Sequence, residues 1–326
     1  MDSPWIPRVL KPDFTWPRLK LSTVSKTAPP VPAVPSRMSL RFWAIVHKAL
    51  FYFSEHYCSW FGVPFGNVAE LPFGLIMKWT DRTSLEEVAA MQMARAAGIP
   101  SPKFLSCGKH IGEPYNRVFS ILMTRLPGIT LENWDGPFDP DLEEPWVHEL
   151  KFCLDSMRQW PVSLAFKCSV ANFPYDQNRI CSVLGTAIRS TRVPNHIMGP
   201  FANEKEFTQF LLSTASDHGF RSRAEYNEAW VRAKRIDQRP HRVTFTQGDF
   251  KAHNILVDDD GHLSGFLDWE SGGWCPEYWE FTTAMRFGRN SWWYQVAMWM
   301  GGDQYLDELD ADIAVNLLTV DSYIGM

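Results

Sequence analysis

The sequence contains no apolar run of membrane length, no paired-cysteine spacing and no excess of basic charge. Its six cysteines, Cys58, Cys107, Cys153, Cys168, Cys181 and Cys275, are scattered without a CxxC pair. That spacing signals neither a zinc knuckle nor a disulfide framework, and fits buried thiols in a reducing compartment. The most apolar stretch near the start, SLRFWAIVHKALFYFS, carries Arg41, His47 and Lys48, and is too short and too charged to cross a bilayer. The opening MDSPWIPRVL has no uninterrupted apolar h-region. A cytoplasmic protein without a membrane partner is therefore expected. The net charge of −5 argues against nucleic acid, which favours a basic surface. No internal repeat is found.

What is present is apolar and aromatic. Hydrophobic residues make up 45% of 326 positions, enough for one sizeable core or two lobes sharing a cleft. Prolines punctuate residues 1–38, most densely in APPVPAVPS, and predict a flexible or loosely docked tail. A helix pattern rich in aromatics follows over about 40–60. Asn67 to Trp79 reads as a β-hairpin turned at Pro72-Phe73-Gly74, with Lys78 near the end of its second strand. Ser84 and Glu87 form a capping-box pattern at the start of a helix whose apolar face is Leu85, Ala89, Met93 and Ala96. Gly98 and Pro100 stop it. Val118–Thr124 is an apolar strand that Leu126-Pro127-Gly128 breaks. After residue 140 helices are predicted around 143–159, 204–216, 221–236, 276–287 and 304–319, with 160–200 irregular.

One strand-rich island, 242–269, interrupts those helices and carries the chemistry. It reads RVTFTQGDFKAHNILVDDDGHLSGFLDWE when continued to Glu270. Ile255–Val257 and Leu263–Leu267 are short strands joined by a turn at Asp260-Gly261. Asn254 and Asp268 lie seven residues either side of residue 261, so antiparallel pairing brings them to the open end of one ladder. An amide oxygen and a carboxylate there make a sparse site for a hard cation, of the kind Mg²⁺ shares with substrate phosphates. Asp249, five residues before Asn254, is placed to accept the proton of an attacking hydroxyl, and Lys251 to neutralise a phosphoryl group.

QGDFKAHN resembles the HGDxxxxN loop of aminoglycoside and choline phosphotransferases and the HRDxKxxN loop of protein kinases. FLDWE resembles the IDWE segment of the same family, and CPEYWEF is similar to the next segment along in fungal members. Upstream, LIMKW, SLEEVAAMQMARAAGIPSPK and ILMTRLPGITL are similar in pattern, so the likeness covers roughly residues 60–300. The resemblance implies an α+β protein-kinase-like bilobal fold, with a small mixed N-lobe over 39–126 and a mainly helical C-lobe over 127–326. It implies ATP and Mg²⁺ as cofactors, a monomer, and a small-molecule acceptor with a hydroxyl group. By the same resemblance Asp249 is the catalytic base and Lys251 its neighbour on the loop. Asn254 and Asp268 are the metal ligands. Lys78 contacts the α/β-phosphates, Glu87 orients Lys78, and the segment 123–126, including Met123 and Arg125, borders adenine.

Two departures stand out. Gln247 replaces the usual histidine, and the first hairpin lacks a GxGxxG loop, which argues against a protein kinase. The alternative to an active small-molecule kinase is a pseudoenzyme that binds ligand or protein without turnover. Six tryptophans (269, 274, 279, 292, 293 and 299) suggest either an acceptor pocket or helix packing. The acidic run Asp303, Asp307, Glu308, Asp310 and Asp312 suggests a solvated helix face or an attractor for a cationic acceptor.

Overall fold

Ser36 accepts the main-chain N–H of Ser39 and so caps a long helix, α1 (Arg37–Phe61), which ends at Gly62 in the left-handed region. It belongs to the smaller of two lobes in the computed structural model, which describes residues 5–320 apart from 22–23, 135, 144, 163–176, 287 and 290. The hairpin predicted next is β1 (Val68–Leu71) and β2 (Leu75–Lys78), with Phe73 and Gly74 at positive φ in its turn. α2 (Leu85–Ala96) starts where Ser84 accepts the Glu87 N–H at 3.2 Å. β3 (Phe104–Lys109) and β4 (Phe119–Thr124) complete an antiparallel sheet of order β1-β2-β4-β3. α1 packs on this sheet, and its buried His47 bonds Ser106 of β3 at 2.9 Å and Ser120 of β4 at 2.7 Å. Polar groups taken out of water in this interface are thus paired.

Beyond the linker at 125–128 the chain becomes mainly helical. Its elements are β5 (Ile129–Thr130), α3 (Trp146–Met157), β6 (Cys181–Ser182), β7 (Ile188–Arg189) and β8 (Ile197–Met198). α4 (Glu204–Leu212) and α5 (Arg223–Ala233) precede β9 (Val243–Thr246), β10 (Ile255–Val257), β11 (Leu263–Phe266) and β12 (Gly273–Pro276). α6 (Trp279–Met285), α7 (Trp292–Trp299) and α8 (Leu306–Thr319) close the chain. The island 242–269 is drawn into two small antiparallel sheets, β11-β10-β5 and β6-β12-β9. Helix α7 was not expected, and the irregular stretch 160–200 supplies β6 to β8 among its described residues.

The proline-rich segment has almost no regular structure of its own, yet it lies against the smaller lobe. Val9 O accepts from Phe73 N, Leu10 O from Tyr57 Oη, and Trp16 N donates to Arg125 O at 3.0 Å. Arg18 reaches the larger lobe, 2.8 Å from Asp258 in the β10–β11 turn. Prolines cannot donate to a ladder, and several of the other backbone groups here pair with neighbouring elements or close local turns.

Packing also decides two open alternatives. Trp269, Trp274, Trp279, Trp292 and Trp293 are buried in the core, and Trp299 is half-buried against it. The acidic run is neither solvated throughout nor a trap for cations. Glu308 pairs with Arg239 and His241, Asp310 with Arg232, and Asp312 with Arg192. The cysteines other than Cys168, which lies outside the described residues, are buried free thiols.

Candidate active site

Lys78, at the last position of β2, is 8% exposed and faces three carboxylates. Its Nζ lies 2.8 Å from Glu87 Oε1, 2.6 Å from Asp268 Oδ1 and 3.6 Å from Glu270 Oε2. The capping pattern at α2 left two uses for Glu87. Its side chain goes to Lys78, while Ser84 makes the cap without a reciprocal bond from it. Burial alone would lower the Lys78 pKa, but Glu87, Asp268 and Glu270 outweigh it and raise it. Burial pushes the Glu87 carboxyl up to about 7 against the pull of Lys78. With all three carboxylates ionised, one buried ammonium among them leaves surplus negative charge, with Arg82 3.9 Å from Glu270 at the rim. A divalent cation would relieve that imbalance.

The loop after β9 is held from behind by buried polar groups. Gln247 is fully buried; its Nε2 donates to Leu267 O at 2.9 Å and to Asp268 O at 2.8 Å, and its Oε1 accepts from Asp249 N. Gly248 has φ +83°, and a Cβ there would sit 2.1 Å from Ser271 O, so only glycine fits. Glu280 of α6 accepts from Gln247 N at 3.1 Å and Gly248 N at 2.9 Å, and burial lifts its carboxyl to about 7. The Asp249 carboxylate emerges from this brace. Lys251 Nζ is 2.7 Å from its Oδ1, and Asn254 Nδ2 donates to its Oδ2 at 3.1 Å and to its main-chain O at 2.9 Å.

The hairpin that carries Asn254 and Asp268 differs from the symmetric pairing expected. Val257 pairs with Leu263, so the turn is centred at 260; a register shift between Leu256 and Val257 then sets Ile255 opposite Phe266, and Leu267 N donates to Asn254 O at 2.8 Å. Asn254 therefore pairs with Leu267. Asp268 lies one residue beyond, in the left-handed region at φ 51°, where the chain turns its side chain toward Lys78.

A cleft of about 380 Å³ is lined by Lys78, Glu87, Met123, Arg125, Asn254 and Asp268, six of the residues singled out by sequence. Asp249 and Lys251 do not line it and join the group through Asn254. Arg125 contributes its side chain only, because its N–H donates to Gly74 O and its C=O accepts from Trp16 N. A larger cavity, about 600 Å³, lies elsewhere in the helical lobe and shares none of these residues. The Arg239 and Arg242 guanidinium groups that line it are already paired with Glu308 and Glu277. No group of three or more His, Cys, Asp or Glu side chains is arranged to hold a metal among the described residues, so a cation here would depend on few protein oxygens.

Residues 72–311, most of the chain, match the model of a phosphotransferase enzyme family. The chain belongs to that family. Solved structures agree in fold. The GDP complex of wild-type aminoglycoside 2′-phosphotransferase-IIIa is similar over 86% of this chain and 91% of its own, with 12% identity and a TM-score of 0.55. An aminoglycoside phosphotransferase in complex with GDP and kanamycin is similar over 76% of this chain and 78% of its own, with 12% identity and a TM-score of 0.51. No curated protein matches. The α+β kinase-like fold of the phosphotransferase family is thus the fold of this chain.

One carboxylate of this family member, Glu280, carries no functional role in the sequence, where it is only part of a resembling segment. Glu270, which with Trp269 directly follows Asp268 and is expected to shape the floor of the site, lies 3.6 Å from Lys78 Nζ. The available signal for Glu280 was a charge inside the otherwise apolar helix start Tyr278-Trp279-Glu280-Phe281.

Proposed function

We propose that this chain is an ATP- and Mg²⁺-dependent phosphotransferase whose acceptor is a hydroxyl group of a small molecule. The observation that supports it most is the single loop on which Asp249, Lys251 and Asn254 meet, next to Lys78 and Asp268. Asp249 takes the proton of the attacking hydroxyl, with its carboxylate oriented by Asn254 and Lys251. Lys251 then faces the transferred group and offsets its charge. Lys78, steadied by Glu87, contacts the α/β-phosphates. Asn254 spends its amide nitrogen on Asp249, which leaves its oxygen, together with the Asp268 carboxylate, to hold Mg²⁺. When bound, Mg²⁺ supplies charge neutralisation at the phosphates. Because the Arg125 main chain is engaged, the adenine edge falls to the C=O of Thr124 and the N–H of Leu126, beside Met123. Positioning and charge neutralisation supply most of the rate.

The pseudoenzyme reading rested on the proline-rich tail and on Gln247. The bonds that residue makes brace Asp249 and Asp268, which removes its main support. Thermal unfolding with ATP, with and without Mg²⁺, in the wild type and Asp268→Ala tests the proposal. Ligand at about a hundredfold over its dissociation constant adds roughly 2.7 kcal/mol. A Mg²⁺-dependent shift lost in the variant supports the site and directs a screen of hydroxylated acceptors. No shift with ATP or GTP overturns it.

A further inference from the structure

One side of α1, with Leu40, Tyr57 and Cys58, is buried. The opposite side carries Met38, Phe42, Ile45, Tyr52 and Trp60, exposed by 83%, 60%, 75%, 56% and 73%. Ala49 and His56 are exposed between them. The steps along 38, 42, 45, 49, 52 and 56 alternate between four and three residues. That is the seam spacing of a two-helix coiled coil, whereas the outward side of an ordinary surface helix is polar. A contiguous apolar stripe of this kind marks an interaction surface.

We propose that α1 pairs antiparallel with α1 of a second copy of this chain, in place of the monomer expected from the sequence. A two-fold axis near residue 47 sets Phe42 against the partner's Tyr52, Ile45 against the partner's Ala49, and Met38 against the partner's His56. The same register brings Arg41, on the flank of the stripe, beside the partner's Glu55, and symmetry repeats the pair. Both side chains are exposed, and neither has an ion-pair partner of its own among the described residues. Lys48, the other charge on that flank, is already 2.6 Å from Glu113 and so tolerates its own symmetry mate. A parallel arrangement would set Arg41 and Glu55 beside Val46 and Trp60 and form no ion pair.

The area is sufficient. Covering Phe42, Tyr52, Phe53 and Trp60 together with Met38 and Ile45 removes on the order of 700 Å² per copy, near the ~800 Å² per partner of a standard interface. A lipid surface is the other occupant such a helix suggests. A helix built to lie on lipid carries basic flanks, whereas here the charged flank sets Glu55 against Arg41 and holds a lysine that is already paired.

Sedimentation velocity on the full chain tests this. A dimer is expected at micromolar concentration, lost in Ile45→Lys. Arg41→Glu alone should weaken the dimer by about tenfold, and Arg41→Glu combined with Glu55→Arg should restore it to within about threefold. A wild type that stays monomeric up to about 100 µM overturns the proposal, as does a dimer indifferent to Ile45→Lys. Failure of the double charge swap to rescue overturns the antiparallel register. Flotation of the monomeric chain with phosphatidylcholine vesicles containing phosphatidylserine would assign the stripe to a membrane surface instead. The substitutions lie outside the cleft, and each variant should keep the unfolding midpoint that the wild type shows at dilutions where it too is monomeric.

Discussion

The side-chain amide of Gln247 donates to the main-chain carbonyl of Asp268 at 2.8 Å, joining the loop of the proposed base to the proposed metal ligand. The same amide holds Leu267 O and accepts from Asp249 N, so one buried side chain positions three backbone groups. A neutral histidine offers one donor and one acceptor, whereas glutamine offers two donors and does not titrate. Gln247→Leu leaves those groups unpaired away from water and should cost roughly 2–4 kcal/mol in denaturant unfolding. Gln247→His, able to keep two of the three bonds, should cost about 1 kcal/mol.

Asp249→Asn should leave the fold and nucleotide affinity close to wild type, because the amide still accepts from Asn254. Turnover of an identified acceptor should fall by about 10²–10⁴, the usual worth of a general base. Single-turnover kinetics beside calorimetric nucleotide binding would separate the two quantities. Equal loss of both would place Asp249 in binding rather than in proton transfer.

Lys78→Ala removes the ammonium that pairs with Glu87, Asp268 and Glu270. Stripping one partner from a buried ion pair costs about 3–5 kcal/mol, and nucleotide affinity should drop along with stability. Lys78→Met combined with Glu87→Gln should recover part of the stability but none of the affinity. Unchanged stability in Lys78→Ala would show that the ion pair does not form in solution.

Burial alone would lower the pKa of the His241 ring, but Glu204 at 2.8 Å and Glu308 at 2.9 Å outweigh it and push it up to about 9. A folded-state value above the unfolded one means that the contribution is complete below about pH 6.5 and is lost as pH rises through about 9. It amounts to roughly 2–4 kcal/mol. Melting temperatures of wild type and His241→Gln should therefore differ most near pH 6 and converge near pH 10. A constant gap across that range would rule out His241 as the titrating group.

Much of the smaller lobe and of the loop that carries Asp249 was legible because local rules act there without competition. Turn residues at Phe73-Gly74, the Ser84 cap, and the spacing of Asp249, Asn254 and Asp268 are all encoded within a few residues of where they act. Features set by distant partners were not legible. The turn is centred at residue 260 and not 261, and the bulge at Leu256–Val257 makes up only one of the two positions this costs, so Asn254 pairs with Leu267; nothing in the strand pattern marks either. The choice of Glu87 between capping and Lys78 depends on a strand that pairs elsewhere. The acidic run near the C-terminus alternates like a solvated face, yet arginines from α5 and from the loops before β8 and β9 claim its inward members.

The segment from Val9 to Arg18 touches the hairpin at Phe73, the linker at Arg125 and the far lobe at Asp258. It therefore acts as a stitch laid across the joint between the lobes. Widening the mouth of the cleft has to lengthen or release the Arg18–Asp258 pair first, since the other end stays fastened to the hairpin. Loosening that stitch would alter how fast a ligand enters and leaves, while the groups around Asp249 keep their places. The rate of exchange and the rate of chemistry would then be set in different parts of the chain.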